Sequence, residues 1–248
     1  MNFTDKNVVI TGGSTGIGFA TAKAFIEAGA NVLITSRNAN NLKSAEERID
    51  NPKLKTLVSD TSNLSGIAVL EKHIAESGNK VDVLFLNAGT AVFTPIEQTT
   101  EEDFDYQFNT NVKGYYFTLQ KLIPYFTEGS SVVFNSSTVA TTAQMYGSVY
   151  SATKGAVNKI AQIAANELAE RKIRVNIVSP GPTKTEGFDK AVPSLEMQDE
   201  FAKSVALGRM GNPSEIAKAV LFLASNQASF ITGTELLVDG GAIGYLLK

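Results

Sequence analysis

Asn7-Val8-Val9-Ile10-Thr11-Gly12-Gly13-Ser14-Thr15-Gly16-Ile17-Gly18 decides the fold. A β-branched run ends in a glycine-rich turn. Apolar residues at helical spacing follow, with Ala20, Ala24, Phe25 and Ala28 ahead of Gly29, a helix stop. Strand, glycine turn and helix in this order suit a phosphate. Glycines allow tight turning and close backbone approach, and the free amides and dipole at the helix amino terminus attract a pyrophosphate. The spacing Gly-x3-Gly-x-Gly equally suits an ordinary tight βα turn. No Gly-Lys-Ser/Thr follows the loop, which argues against triphosphate hydrolysis.

Working outward, similar runs recur at Lys55 to Val58, Val81 to Leu86, Ser131 to Asn135, Arg174 to Val178 and Glu235 to Val238, besides Asn7 to Thr11 and Val32 to Thr35. Helical patterns separate them, so seven strands are expected to pair in parallel. Near-continuous apolar strands such as Val81-Asp82-Val83-Leu84-Phe85-Leu86 fit a sheet covered on both faces by helices. The expectation is an α/β fold, doubly wound, forming a single domain over 1–248. Pro180 to about Asp199, with Gly181, Pro182, Gly187 and Pro193, shows no clear strand and reads as a mobile loop or lid. It opens a substrate loop at about 180–207, beyond the carboxyl end of a strand, where such sheets bind ligands.

Composition narrows the function. The 248 residues, 43% of them hydrophobic, allow a sizeable core, and the net charge of −3 offers no broad attraction to nucleic acid or an anionic membrane. Without cysteine there are no disulfides or thiol nucleophiles, which fits a reducing compartment. No hydrophobic run approaches the ~18 residues of a spanning helix, and no signal-like segment opens the chain, so the expected location is cytoplasmic. The single histidine, His73, lies in a polar helical stretch and reads as a surface residue. A hydrolase triad and a transition-metal site are therefore not expected, leaving only a carboxylate-bound Mg²⁺ open.

Tyr150 and Lys154 stand four residues apart, on one face of a helix. A phenol titrates near 10, so proton exchange at neutral pH needs positive charge nearby, and Lys154 supplies one. A depression of ~2–3 units needs roughly 3–4 kcal/mol, more than one cation is expected to give. A solvated helix face accounts for the same spacing.

These residues do not stand alone. Thr11-Gly12-x3-Gly16-x-Gly18, Asn87-Ala88-Gly89 after the fourth strand, Asn111 in Asn-Val-Lys-Gly, Ser137 thirteen residues before Tyr150, Tyr150-x3-Lys154, Pro180-Gly181 and Val238-Asp239-Gly240-Gly241 together resemble the short-chain dehydrogenase/reductase family over nearly the whole chain. The resemblance implies a Rossmann-type fold and hydride transfer between nicotinamide and a carbonyl or alcohol. By the same resemblance Tyr150 is the general acid/base and Lys154 lowers its pKa and binds the nicotinamide ribose. Ser137 orients the carbonyl, its neighbour Ser136 being excluded by the thirteen-residue spacing, and Asn111 holds water in a proton relay. The oxidised nicotinamide becomes the second cation.

The cofactor contacts that the resemblance implies are Gly12, Ser14, Thr15, Gly16, Ile17 and Gly18 in the loop, Ser36 and Arg37 after the second strand, and Asp60 and Thr61 at the adenine. Asn87, Ala88 and Gly89 line the ribose, Asn87 being more structural than ligand-binding, and Pro180, Gly181, Thr183 and Thr185 meet the carboxamide, with Tyr150 and Lys154 completing the set. Asp60 equally suits an Asx turn or helix cap. Where an NAD enzyme usually has a carboxylate, about twenty residues past the loop, this chain has Ser36 followed by Arg37. NADP(H) over NAD(H) is therefore expected, although Thr15 stands where many NADP-preferring relatives carry a base. A non-catalytic dinucleotide sensor and a cofactor-independent lyase on the same scaffold are disfavoured by the intact Ser137, Tyr150, Lys154 and glycine loop. The expected partner is a small-molecule carbonyl or alcohol, 3-oxoacyl thioesters included. Its walls are Ala91, Val92, Phe93, Val139, Tyr146 and parts of 186–207. A homotetramer, or a homodimer, is implied through helices near 100–126 and 149–170 and the last strand.

Overall fold

A computed structural model describes residues 1–192 and 194–244. The strands are β1 (Asn7–Ile10), β2 (Asn31–Ser36), β3 (Leu54–Val58), β4 (Val81–Leu86), β5 (Phe126–Asn135), β6 (Arg174–Pro180) and β7 (Glu235–Val238). They form one sheet in the order β3-β2-β1-β4-β5-β6-β7, every pair parallel, which is the expected doubly wound Rossmann-type arrangement. The chain reverses its direction of travel across the sheet at β1, which lies between β2 and β4. That crevice at the carboxyl ends is where such sheets take ligands.

Strand side chains alternate between two cores. Val8, Ile10, Val32, Ile34, Val83 and Phe85 point to one face, where α1 (Gly16–Glu27), α2 (Ala39–Ile49) and α9 (Pro213–Ala224) cover them. Val9, Leu33, Leu84, Leu86, Val132 and Phe134 point to the other, under α3 (Leu64–Ser77), α5 (Gly114–Leu122) and α6 (Ser148–Glu167). Both faces of the central strands are buried, which is why strands such as β4 read as near-continuous apolar runs. α1 ends as its sequence predicts. Gly29 sits at φ +95° and donates to Ile26 O, while Ala30 N donates to Phe25 O, the paired bonds of a Schellman stop.

Two expectations change. β5 begins at Phe126, ahead of Ser131, because Val81 pairs with Phe126 before the register shifts. The exposed Thr127-Glu128-Gly129 carries no apolar signal. The segment read as an irregular loop after Pro180 holds two helices, α7 (Glu186–Ala191) and α8 (Leu195–Lys203). Thr185 Oγ1 accepts from Phe188 N and Ser194 Oγ from Met197 N as caps, and Phe188 meets Phe201 edge-on at 5.4 Å. Pro193, part of that reading, lies outside the described residues. α4 (Glu101–Phe108) and α5 are joined by a π-turn over Asn109–Lys113. Among the described residues, no helix is long and apolar enough to cross a membrane.

Candidate active site

The glycine loop closes on β4. Gly12 takes φ +64°, and a Cβ there would lie 2.7 Å from Ala88 Cα. At Gly18 a Cβ would lie 2.2 Å from Gly12 O, so glycine is the residue these backbones admit. Asn87 locks the approach: Nδ2 donates to Thr11 O and Gly12 O at 3.0 and 2.9 Å, and Oδ1 accepts from Asn135 Nδ2 at 2.9 Å. The amides of Asn87 and Ala88 both donate to Thr11 Oγ1. Asn87 is thus a girder between β1, β4 and β5.

At the start of α1, Gly16 N donates to Glu186 Oε2 at 2.9 Å. A carboxylate from α7 stands where the helix dipole and a free amide attract an anion. The donor set fits a pyrophosphate, with Glu186 as its stand-in. Thr185 lies against the same glycine: a Cβ at Gly16 would meet Thr185 Cβ at 3.3 Å. Ser14 is buried and Thr15 exposed within the loop, with Ile17 partly buried on the first turn of α1. Thr183 is buried, its Oγ1 donating to Gly181 O, and it bridges to Gly211. Gly181 itself donates to Val238 O, tying the turn after Pro180 to the end of β7.

At the end of β2, Ser36 Oγ accepts from Asn38 N at 3.2 Å. Arg37 reaches out of the strand and donates from Nη2 to Tyr106 Oη on α4 at 2.8 Å. Among the described residues, no carboxylate pairs with this guanidinium within 4.0 Å. Asp60 Oδ1 accepts from Ser62 N at 3.0 Å, the Asx turn that its sequence allows, while Thr61 is buried beside it.

The proton machinery gathers around α6. Desolvation holds the Tyr150 phenol above its ordinary range, while Ser137, on the turn after β5, acts in the opposite direction and lowers its pKa. Ser136 Oγ instead donates to Lys154 O, away from the phenol. Lys154 is 3% exposed, its Nζ donates to Asn135 O at 2.8 Å, and burial pulls its pKa down to about 7. Tyr115 Oη donates to the same carbonyl at 3.2 Å. The ammonium nitrogen lies 5.4 Å from the Tyr115 ring centre and 5.7 Å from that of Tyr150. Sequence reasoning expected Lys154 to depress Tyr150 together with the oxidised nicotinamide. In this structure Lys154 Nζ donates to Asn135 O, and desolvation raises the phenol.

Asn111 is fully buried in the π-turn. Its Nδ2 donates to Thr90 O and Thr153 Oγ1, and its Oδ1 accepts from Thr90 N. The amide group pins the loop after Gly89 to α6 through these protein partners. Gly89 lies between Asn111 and Lys154: a Cβ there would be 3.4 Å from Asn111 Oδ1 and 3.8 Å from Lys154 Nζ. Asn135 Oδ1, beside this cluster, is buried and has no hydrogen-bond partner among the described residues. Phe93 meets Tyr150 edge-on at 5.8 Å, and Thr94 N donates to Tyr146 O, joining two of the expected walls.

Sequence reasoning missed Tyr115, Asn135, Tyr106 and Glu186. Asn135 had a signal, a polar residue closing an apolar strand. The others are joined to the site only by the folded chain.

A family model described as enoyl-(acyl carrier protein) reductase matches residues 12–242. The chain is 37% identical to the oxidoreductase asL5 of Sarocladium schorii over 96% of both chains. It is 36% identical to the 3-oxoacyl-[acyl-carrier-protein] reductase FabG of Chlamydia muridarum over 96% of this chain and 97% of the other. The crystal structure of 3-ketoacyl-(acyl-carrier-protein) reductase from Brucella melitensis, complexed with NADH, superposes with a TM-score of 0.89 at 32% identity, covering 97% of this chain and 99% of that one. Matched in this way over more than nine-tenths of its length, the chain belongs to the short-chain dehydrogenase/reductase family of oxidoreductases.

Proposed function

We propose that the chain is an NADP(H)-dependent reductase of a ketone or aldehyde, reversible as an alcohol dehydrogenase, with Tyr150 as its general acid and base. The observation that carries this reading is the Tyr150 phenol, close enough to Ser137 for it to lower the phenol's pKa, one helical turn from the buried Lys154, whose Nζ lies 5.7 Å from the Tyr150 ring centre. Bound nicotinamide supplies or accepts the hydride. Ser137 donates to the substrate oxygen and holds it within reach of the phenol. Tyr150 donates to the same oxygen as negative charge builds, then protonates it; in oxidation it takes that proton back. Lys154, with its pKa near 7, gives up and regains a proton at neutral pH beside the phenol. Asn111 keeps the Gly89 loop and α6 in register around it.

Cofactor choice is carried by Ser36 and Arg37. No carboxylate at this strand end repels a 2′-phosphate, and an arginine without a carboxylate partner among the described residues offers it a charge-assisted, bidentate contact. The Brucella relative is named as complexed with NADH, and the NADP(H) reading rests on Ser36 and Arg37 of this chain.

A second reading narrows the substrate to 3-oxoacyl thioesters, favoured by the names of the Chlamydia and Brucella relatives. An NADPH-oxidation screen over keto esters, β-keto thioesters, steroids, sugars and aromatic ketones tests both. Turnover of any member supports the reductase, and turnover confined to the thioesters selects the narrower reading. No turnover with either nucleotide, in reduction or with the matching alcohols, overturns it.

We also propose a homotetramer. A groove lined by Phe108, Val112, Tyr116, Phe117 and Ile160, with Asn109 and Lys113 beside them, runs between α5 and α6, and Phe104 on α4, Tyr116 on α5 and Ile163 on α6 are exposed. Light scattering on the eluted protein distinguishes four copies from two or one.

A further inference from the structure

Arg37 is held from a direction that neither its own strand nor the glycine loop supplies. Its Nη2 donates to Tyr106 Oη at 2.8 Å, and the guanidinium carbon lies 5.5 Å from the centre of the same ring. The two residues stand 69 positions apart, one after β2 and the other on α4. Tyr106 itself stands on firm ground. Its helix is capped by Thr100, whose Oγ1 accepts from Asp103 N, and the adjoining Gln107 is buried, with Oε1 accepting from Val92 N at 3.1 Å and Nε2 donating to Asp103 O.

An exposed arginine is a rotamer-rich group, and a bidentate contact needs its planar fork in one orientation. A phenol that accepts one N–H and lays its ring near the guanidinium supplies that restraint. It adds no negative charge to compete with a phosphate, and the remaining N–H groups stay free. Ser36 is similarly disposed: its oxygen accepts from Asn38 N, and its hydroxyl hydrogen remains for a ligand.

We propose that Tyr106 is a positioning residue for cofactor choice, holding Arg37 ready for the ribose 2′-phosphate; this rests on the NADP(H) reading above. A cofactor with a plain 2′-hydroxyl draws little from the guanidinium, so Tyr106 acts on one nucleotide and not on the other. That differential separates positioning from a general structural role.

The test is equilibrium binding of NADPH and NADH, by titration calorimetry, to wild type, Tyr106→Phe, Tyr106→Leu and Arg37→Ala, with melting temperatures alongside. Tyr106→Phe keeps the ring and removes the hydroxyl. Its NADPH dissociation constant is expected to rise about 3–10-fold with NADH unchanged within about twofold, and Tyr106→Leu, which also loses the ring, is expected to lose more. An unchanged NADPH-to-NADH ratio in Tyr106→Phe, with the preference lost in Arg37→Ala, overturns the role of Tyr106 and leaves that of Arg37. Tighter NADPH binding in Tyr106→Phe overturns it with the opposite sign, as an obstruction. An unchanged ratio in Arg37→Ala removes the NADP(H) reading, and the proposal falls with it.

Discussion

Lys154 and Tyr115 converge on one acceptor, the Asn135 main-chain oxygen, at 2.8 and 3.2 Å. A buried ammonium and a buried phenol thus share a single carbonyl, with the Tyr150 ring centre 5.7 Å from the ammonium nitrogen. Dipoles and ring faces offset only part of the desolvation of the ammonium, no carboxylate pairs with it among the described residues, and burial therefore lowers its pKa.

The stability of the protein should register that burial. An unfolded lysine keeps its proton up to about pH 10.5, whereas Lys154 in the fold releases it near 7. Between these values the unfolded state binds more protons, so this group's contribution to stability rises with pH, and its cost is complete below 7. Lys154→Met should be more stable than wild type at pH 6 by roughly 1–4 kcal/mol, a gain that shrinks toward pH 10. Urea denaturation at both pH values measures it, and a gain that grows with pH would contradict the assignment.

Tyr115→Phe removes one of the two donors and leaves the packing intact. It should cost about 0.5–1.5 kcal/mol. Tyr115→Ala empties a site that is 1% exposed and should cost about 3–5 kcal/mol. Equal losses in the two variants would mean that the hydroxyl, not the ring, holds this part of the core.

Glu186 occupies the amino terminus of α1 through Gly16 N. A cofactor pyrophosphate must displace it, so Glu186→Gln should tighten NADPH binding by about 2–5-fold through the helix dipole and relieved repulsion. Weaker binding in the variant would show the carboxylate helping the cofactor in place of opposing it.

Two glycines should respond with opposite signs. Gly18→Ala drives a Cβ to within 2.2 Å of Gly12 O and 2.5 Å of Asn87 Nδ2, and is expected to cost roughly 1–3 kcal/mol or more, with cofactor binding weakened. Gly155→Ala on α6 meets nothing nearer than Ala140 O at 3.9 Å and should add about 0.5–1 kcal/mol through helix propensity. Thermal melts of the pair read both at once.

The sheet was legible because both of its faces are buried: strands such as Val81–Leu86 carry their apolar signal on consecutive residues, and Gly29 marks a stop that only a left-handed conformation requires. Ser137, Tyr150 and Lys154 were legible as a spaced motif, and the structure brings them together. What stayed hidden arises from chain folding. Thr127 to Gly129 pair as strand without being apolar, and α7 and α8 rest on caps and the Phe188–Phe201 contact more than on periodicity. Glu186 meets Gly16 from 170 residues away, and Tyr106 meets Arg37 from 69. The raised Tyr150 phenol had no signal either, since desolvation depends on what surrounds a hydroxyl and not on what lies four residues along.

Tyr150→Phe tests the central claim most directly, because it removes one oxygen and leaves the ring against Phe93. NADPH binding, followed by calorimetry, should stay within about twofold of wild type, while turnover of a carbonyl that wild type accepts should fall by roughly 10²–10⁴-fold. Carbonyl reduction by the variant at a rate within about tenfold of wild type would show that the proton comes from elsewhere, and would contradict the role assigned to Tyr150.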